Sequence, residues 1–235
     1  VIIVVEGIDG SGKTSVVTAL TEQLRATYLP STRTVEQLAF PYRHSPTGRV
    51  IDRYLRCPTQ MTGIDAYAHQ ALQVVNRLEQ LQWLADPARL NVLSRYTPSA
   101  MVYGGLDGCD ADWLAQVTAA LPLPDLCVLL TCEPELALSR MRGRGVTSDQ
   151  YERRGIEWFR AAAQAYDRLW DANDTMRGLD AEGTVWLRLR PDGDDTPARV
   201  AAQIKSVFLG TFTCSCGRYH NAARTPCRGH SEVTP

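Results

Sequence analysis

No stretch of the chain approaches the ~18 consecutive apolar residues of a membrane-crossing helix. Net charge is nearly absent as well: 25 Lys and Arg stand against 26 Asp and Glu, a formal charge of -1. Without an excess of either sign there is no global field to draw the chain onto nucleic acid or an anionic lipid surface, so any anion site must be built locally. Internal repeats and low-complexity linkers are missing too. The first residues already form a strand, with no signal or transit segment ahead of them, although a trimmed N-terminus would look the same; the expectation is a soluble, cytoplasmic protein. Seven cysteines, an odd number in such a chain, argue against a disulfide framework. Cys57, Cys109, Cys127 and Cys132 are scattered, the last two in an apolar run that suits buried thiols, whereas Cys214, Cys216 and Cys227 crowd together near the end.

What is present suffices for one sizeable core, since 44% of 235 residues are hydrophobic. Five almost wholly β-branched residues at the front read as a buried parallel strand. They lead into Gly7-x-x-x-x-Gly12-Lys13-Thr14, and then into a helix whose Val16, Val17, Leu20 and Leu24 recur at helical spacing. Strand, glycine loop and helix in this order are what a phosphate-binding P-loop requires. Gly7, Gly10 and Gly12 let successive N–H groups, with those of Ser11 and Ser15, turn toward phosphate oxygens, and the helix adds its positive end. Lys13 is then placed to reach the β- and γ-phosphates of ATP, and the Thr14 hydroxyl to ligate Mg²⁺.

Further along, residues 34–40 read as a second strand, 40–48 as a loop, 49–55 as a short helix and 64–84 as one long amphipathic helix. A third strand over 91–95 carries Arg95 at its end, where ligands of open α/β sheets gather. Residues 96–108 read as loop, 110–121 as helix and 126–132 as the clearest remaining buried strand. Glu133-Pro134 opens a helix with Leu136, Leu138 and Met141 facing inward. An arginine-glycine turn suited to a mobile clamp follows, then a long helix over 149–173. Residues 184–190 alternate as a strand nearer the sheet edge, and 197–209 form a closing helix. Alternation of strands and helices predicts a three-layer P-loop fold: a central parallel sheet of about five strands flanked by helices. One domain spans 1–210, with a lid at 140–152 and a tail at 211–235.

With these pieces placed, the chain resembles the thymidylate kinase family of nucleoside monophosphate kinases over roughly residues 2–209. The resemblance is carried by Glu6-Gly-Ile-Asp-Gly-Ser-Gly-Lys-Thr14, by Phe40-Pro-Tyr-Arg43 with Gly48, and by Asn76-Arg77. Arg95-Tyr96 with Ser99 and Tyr103, the stretch from Glu133 to Gly145, and Glu152, Phe159 and Tyr166 complete it. It implies phosphoryl transfer from ATP, with Mg²⁺, to a pyrimidine deoxynucleoside monophosphate, with thymidylate the first expectation. Arg43, Arg77 and Arg95 would grip the acceptor phosphate, because guanidinium forks match phosphate oxygens. By the same resemblance Asp9 would accept from the sugar 3′-hydroxyl, Tyr103 would crowd the 2′ position, and Phe40, Ser99 and Glu152 would line the acceptor site. Family members place a charge-stabilising arginine in the P-loop or in the lid. Residues 8–11 supply none here, so Arg142 and Arg144, with Arg140, are the candidates for closing over the transferring group. Homodimers are common in the resembling family, while the charge balance and the lack of a long apolar run point away from nucleic-acid and membrane partners, Arg218, Arg224 and Arg228 leaving only a weak contact open.

The chain departs from that pattern at three places. Ser94 replaces an acidic residue that would organise the water ligands of Mg²⁺, which keeps an inactive nucleotide-binding regulator among the readings. Gln73 stands where a ring would stack on the base, and Gly104 where many members carry a polar side chain. Loss of a ring, gain of an amide and the space that glycine opens leave a second acceptor open, a polar or enlarged pyrimidine deoxynucleotide such as a 5-substituted deoxyuridylate. Beyond the resemblance, Cys214, Cys216 and Cys227 with His220 or His230 supply enough soft ligands for a tetrahedral Zn²⁺ site, or simply cluster in a flexible tail.

Overall fold

The computed structural model describes residues 1–28, 33–57, 61, 63–143, 151–174, 183–191 and 195–212. Five short strands, β1 (Ile2–Glu6), β2 (Thr34–Ala39), β3 (Arg89–Ser94), β4 (Leu126–Leu130) and β5 (Val185–Leu189), form one sheet in the order β2-β3-β1-β4-β5. Every pairing is parallel, with Val5 opposite both Ser94 on β3 and Val128 on β4. β1 and β4 are buried at every residue, which is why they read as unbroken apolar runs, whereas the alternating β5 lies at the edge.

The pleat sends the side chains of β1 to two different cores. Ile3 and Val5 pack with Val17, Leu20 and Leu24 of α1 (Lys13–Arg25) and with Ile204 and Phe208 of α9 (Pro197–Phe212). Ile2 and Val4 face the opposite layer, with Leu38, Phe40, Val74 and Tyr96. That layer includes α2 (Pro46–Arg56), α3 (Ala66–Leu78) and α4 (Leu81–Leu84). A third cluster joins Val102 and Tyr103 of α5 (Thr97–Leu106) to Ala137 of α7 (Pro134–Arg142) and to Phe159, Ala162 and Tyr166 of α8 (Ile156–Asp174). The short helix α6 (Ala111–Thr118) packs on α5, with Asp110 accepting from Trp113 N–H as its cap.

Several sequence-based boundaries need correction. Residues 96–108 are mostly the helix α5, not loop; it is buried on nearly all sides and so shows no one-sided apolar stripe. The single helix expected over 64–84 is broken at Glu79 and Gln80 into α3 and α4. Leu136 is 44% exposed, while Ala137 takes the fully buried position beside it. α2 begins at Pro46, where Ser45 accepts from Gly48 N–H. α8 begins only after Gly155, which has a left-handed φ of 80° and follows a one-turn 3-10 helix, Glu152–Arg154. The tail residues expected to hold zinc lie outside the described residues.

One buried carboxylate ties the sheet to two of these helices. Glu6 has no exposed surface; its Oε1 accepts from Tyr96 N–H at 2.6 Å and Ser99 N–H at 3.3 Å. Its Oε2 accepts from the hydroxyls of Ser99 at 2.7 Å and Tyr166 at 2.9 Å. The end of β1 is thereby fastened to the start of α5 and to the middle of α8. Glu6→Ala orphans those buried donors and should lower the unfolding free energy by about 3 kcal/mol or more, whereas Tyr166→Phe removes one donor and should cost roughly 1 kcal/mol. Urea denaturation midpoints check both, and equal losses would contradict the anchoring role of Glu6.

Candidate active site

The carboxyl ends of β1, β2 and β3 open on one cleft of about 790 Å³. Its β1 side is the glycine loop. Gly7 has a φ of 137°, and a Cβ there would stand 2.4 Å from the Leu130 carbonyl oxygen; at Gly10 it would meet the Ala137 oxygen at 2.3 Å. Only glycine therefore fits where the loop presses on β4 and α7. Lys13 is buried, its Nζ donating to the carbonyls of Gly7 at 2.9 Å and Ile8 at 2.7 Å. Ser11 Oγ is buried without a hydrogen-bond partner. Gly12 caps α1 without a side-chain acceptor, and Thr14 and Ser15 are exposed at its first turn. This is a built cradle for an anion at a helix N-terminus.

Facing it, Arg95 adopts a left-handed φ of 68°, unfavourable by roughly 1–2 kcal/mol for a residue with a Cβ. Its amide donates to Val5 O at 3.1 Å. Its guanidinium pairs with Asp9 and donates to Ser99 Oγ and Tyr103 Oη, both at 3.2 Å, while lying 4.8 Å from the Tyr103 ring centre. Burial opposes this charge, but Asp9 foremost outweighs it and holds Arg95 well above its ordinary value. Asp9 also lies 3.9 Å from Lys13 Nζ, so one carboxylate links the two walls. Arg43 is 52% exposed at the cleft mouth, 3.2 Å from Asp52.

Arg77 lines the same cleft from α3. It is 2% exposed, with Nη1 donating to Gln73 O at 2.8 Å and Nη2 to Tyr96 O at 2.9 Å. Each of these two nitrogens keeps a second N–H, and the buried Nε is without a partner. Burial above all pulls Arg77 down to about 10, which still leaves it charged at neutral pH. Phe40 is equally buried, packed between Tyr96 and Arg77.

At the far end of the cleft stand Gln73, His69, Gln70, Leu55, Tyr103 and Tyr151. Gln73 Nε2 is 3.2 Å from His69 Nε2, and His69 Nδ1 is 3.3 Å from Tyr151 Oη. Tyr151 donates to Asp107 at 2.6 Å, which pairs with Arg154 at 2.7 Å. Gly104 is corrected: it does not line the cleft. A Cβ there would meet Leu114 Cδ2 at 2.8 Å and Gln70 Cγ at 3.1 Å, so the room that glycine leaves is already filled.

Of the three arginines expected to close over the transferring group, Arg140 approaches the loop, with Nη1 3.5 Å from Gly10 O and 3.7 Å from Cys132 Sγ. Arg142 is exposed at the end of α7 with no hydrogen bond or ion pair among the described residues, and Arg144 lies outside them. Glu152 opens the one-turn helix.

A family model described as thymidylate kinase matches residues 5–186. The chain belongs to the thymidylate kinase family. A thymidylate kinase of Xanthomonas oryzae pv. oryzae is 31% identical over 212 residues, covering 84% of this chain and 88% of the relative. That of Dictyostelium discoideum is 31% identical over 188 residues, 76% and 79% of the two chains. In fold, the chain is similar to the thymidylate kinase of Candida albicans, with a TM-score of 0.65 at 21% identity over 89% and 91% of the two chains. That of Ehrlichia chaffeensis gives 0.62 at 16% identity, over 88% and 96%. Among the described residues no helix is long and apolar enough to cross a membrane, and no group of three or more His, Cys, Asp or Glu could hold a metal ion.

Of this family member's site residues, sequence reading passed over His69 and Gln70. Both precede Gln73 by one helical turn and share its face, a spacing legible in advance. Asp107 carried no local signal. His69 supplies a pH test. Burial, with Arg77 and Arg154 adding to it against Asp107, pushes its imidazole from 6.5 down to about 4. The unfolded chain therefore takes up a proton first, and stability falls as pH drops from 6.5 toward 4, by about 3 kcal/mol from this group. Denaturation from pH 7 to 4 should show that loss in the wild type relative to His69→Gln; parallel profiles would contradict it.

Proposed function

We propose that this chain transfers the γ-phosphoryl group of ATP to dTMP, giving ADP and dTDP. The observation that supports this best is the convergence of two anion-receptive walls, the glycine cradle with Lys13 and the buried Arg95, on one cleft. Phosphoryl transfer needs placement and charge neutralisation more than covalent help from the protein.

On the donor side, the amides of residues 10–15 and Lys13 take the β- and γ-phosphates. Lys13 then exchanges its two carbonyl contacts for phosphate oxygens. The orphaned Ser11 hydroxyl and the exposed Thr14 fit MgATP, Thr14 holding the ion; Mg²⁺, when bound, neutralises the oxygens between the phosphates. Ser94, buried at the cleft floor, offers a hydroxyl where the resembling pattern has a carboxylate.

On the acceptor side, Arg95 and the half-exposed Arg43 take the monophosphate. Asp9, held by Arg95, accepts from the 3′-hydroxyl of the sugar. The Tyr103 ring, clamped under the Arg95 guanidinium, limits room beside the sugar and favours a deoxyribose. Arg140 stands nearest the loop and supplies the positive charge that the loop itself lacks; Arg142 and Arg144 follow it in the lid.

Coupled release of ADP with and without dTMP tests the reading, since a mere nucleotide binder releases none in either case. Lys13→Met should lower kcat by roughly 10³-fold, and Arg140→Met by about 10-fold to 10³-fold, with the fold intact by circular dichroism. Unchanged turnover in Lys13→Met would overturn the assignment.

A further inference from the structure

We propose that Gln70 and Gln73 form a two-acceptor subsite for the base, with Gln73 held in that polarity by His69, Tyr151, Asp107 and Arg154. The chain then favours a pyrimidine deoxynucleotide whose base offers two hydrogen-bond donors over thymidylate. The inference rests on the kinase reading above and narrows its substrate.

The direction of each proton follows from the outer end inward. Asp107, paired with Arg154 at 2.7 Å, can only accept, so the Tyr151 hydroxyl gives it its single proton at 2.6 Å. Toward His69 that hydroxyl then shows a lone pair, and the hydrogen of the neutral ring sits on Nδ1, 3.3 Å away. Burial keeps the ring neutral at physiological pH. His69 Nε2 is thus a bare acceptor, and the atom of Gln73 lying 3.2 Å from it must be the amide nitrogen. A flipped amide would set oxygen against a lone pair. Gln73 Oε1 is accordingly turned away from His69, and among the described residues no hydrogen bond reaches it.

One turn earlier on α3, Gln70 is 2% exposed and its Oε1 is buried without a partner. Its stem packs against Gly104, so the side chain has little freedom to turn elsewhere. Both glutamines line the same cleft three residues apart on one helix face, and the buried Gln70 acceptor without a donor is unfavourable until a ligand's donor reaches it. Thymine offers one donor, its ring N3–H. A 5-hydroxymethyluracil adds its hydroxyl, and cytosine presents the two hydrogens of its amino group; the shared chemistry is the second donor.

The test uses the full chain with ATP and compares kcat/KM for dTMP, 5-hydroxymethyl-dUMP and dCMP. At least one two-donor substrate should exceed dTMP by about tenfold or more, because a site built to bond a donor discriminates against an analogue lacking it. Which of the two does so identifies the source of the donor. Gln73→Leu and Gln70→Leu should each pull that ratio toward one. Tyr151→Phe, which frees His69 to change tautomer and Gln73 to flip, should reduce the ratio by roughly threefold or more, a change that a general loss of packing, lowering all substrates together, would not produce. Turnover of dTMP equal to or better than both others overturns this subsite and leaves the kinase reading standing. No turnover with any of the three removes both.

Discussion

The Glu6 carboxylate is the constraint on which the cleft depends. It is wholly desolvated, which would be prohibitive for a lone charge, and it survives because two main-chain N–H groups and two hydroxyls converge on it. Those donors belong to α5 and α8, so the charge that ends β1 also decides where Arg95, Ser99 and Tyr103 sit. The left-handed backbone at Arg95 is tolerated for the same reason: the residue after it is held by Glu6, and its own amide by Val5. A strained turn stored between two strand ends keeps a guanidinium aimed across the cleft rather than along the sheet.

Electrostatics divide that cleft into zones. Near the glycine loop, Asp9 holds Arg95 in its charged form and lies beside Lys13, so two cations stand ready for phosphate. Deeper in, where Arg77 donates to two main-chain carbonyls, hydrogen bonding takes over from charge. Here two glutamines, a neutral histidine and a tyrosine hydroxyl form a polar wall in place of an aromatic one. Tyr151 and Arg154 belong to the segment between α7 and α8, so this wall is shared between α3, the end of α5 and that segment.

Strands and the glycine loop were legible because each is a local pattern: β1 and β4 are unbroken apolar runs, and the loop is a spacing of glycines followed by a lysine. α5 was not, since burial on nearly all sides erases the stripe that marks a helix. Arg77 was legible as a cleft residue, but its two carbonyl partners, on Gln73 and Tyr96, were not, because they depend on how α3 meets α5. Gly104 misled for a related reason. A glycine in sequence suggests space, whereas Leu114 from α6 and Gln70 from α3 had already filled it. The link from Gln73 to Asp107 spans three separate segments and leaves no trace in spacing.

The contact between Gly10 and the Ala137 carbonyl has a mechanical consequence. With no side chain between them, the phosphate loop and the root of α7 touch backbone to backbone, and neither can shift without the other. Arg140, one turn further along α7, is therefore carried on the same rigid block as the loop it faces. That cation thus keeps its station beside the cradle.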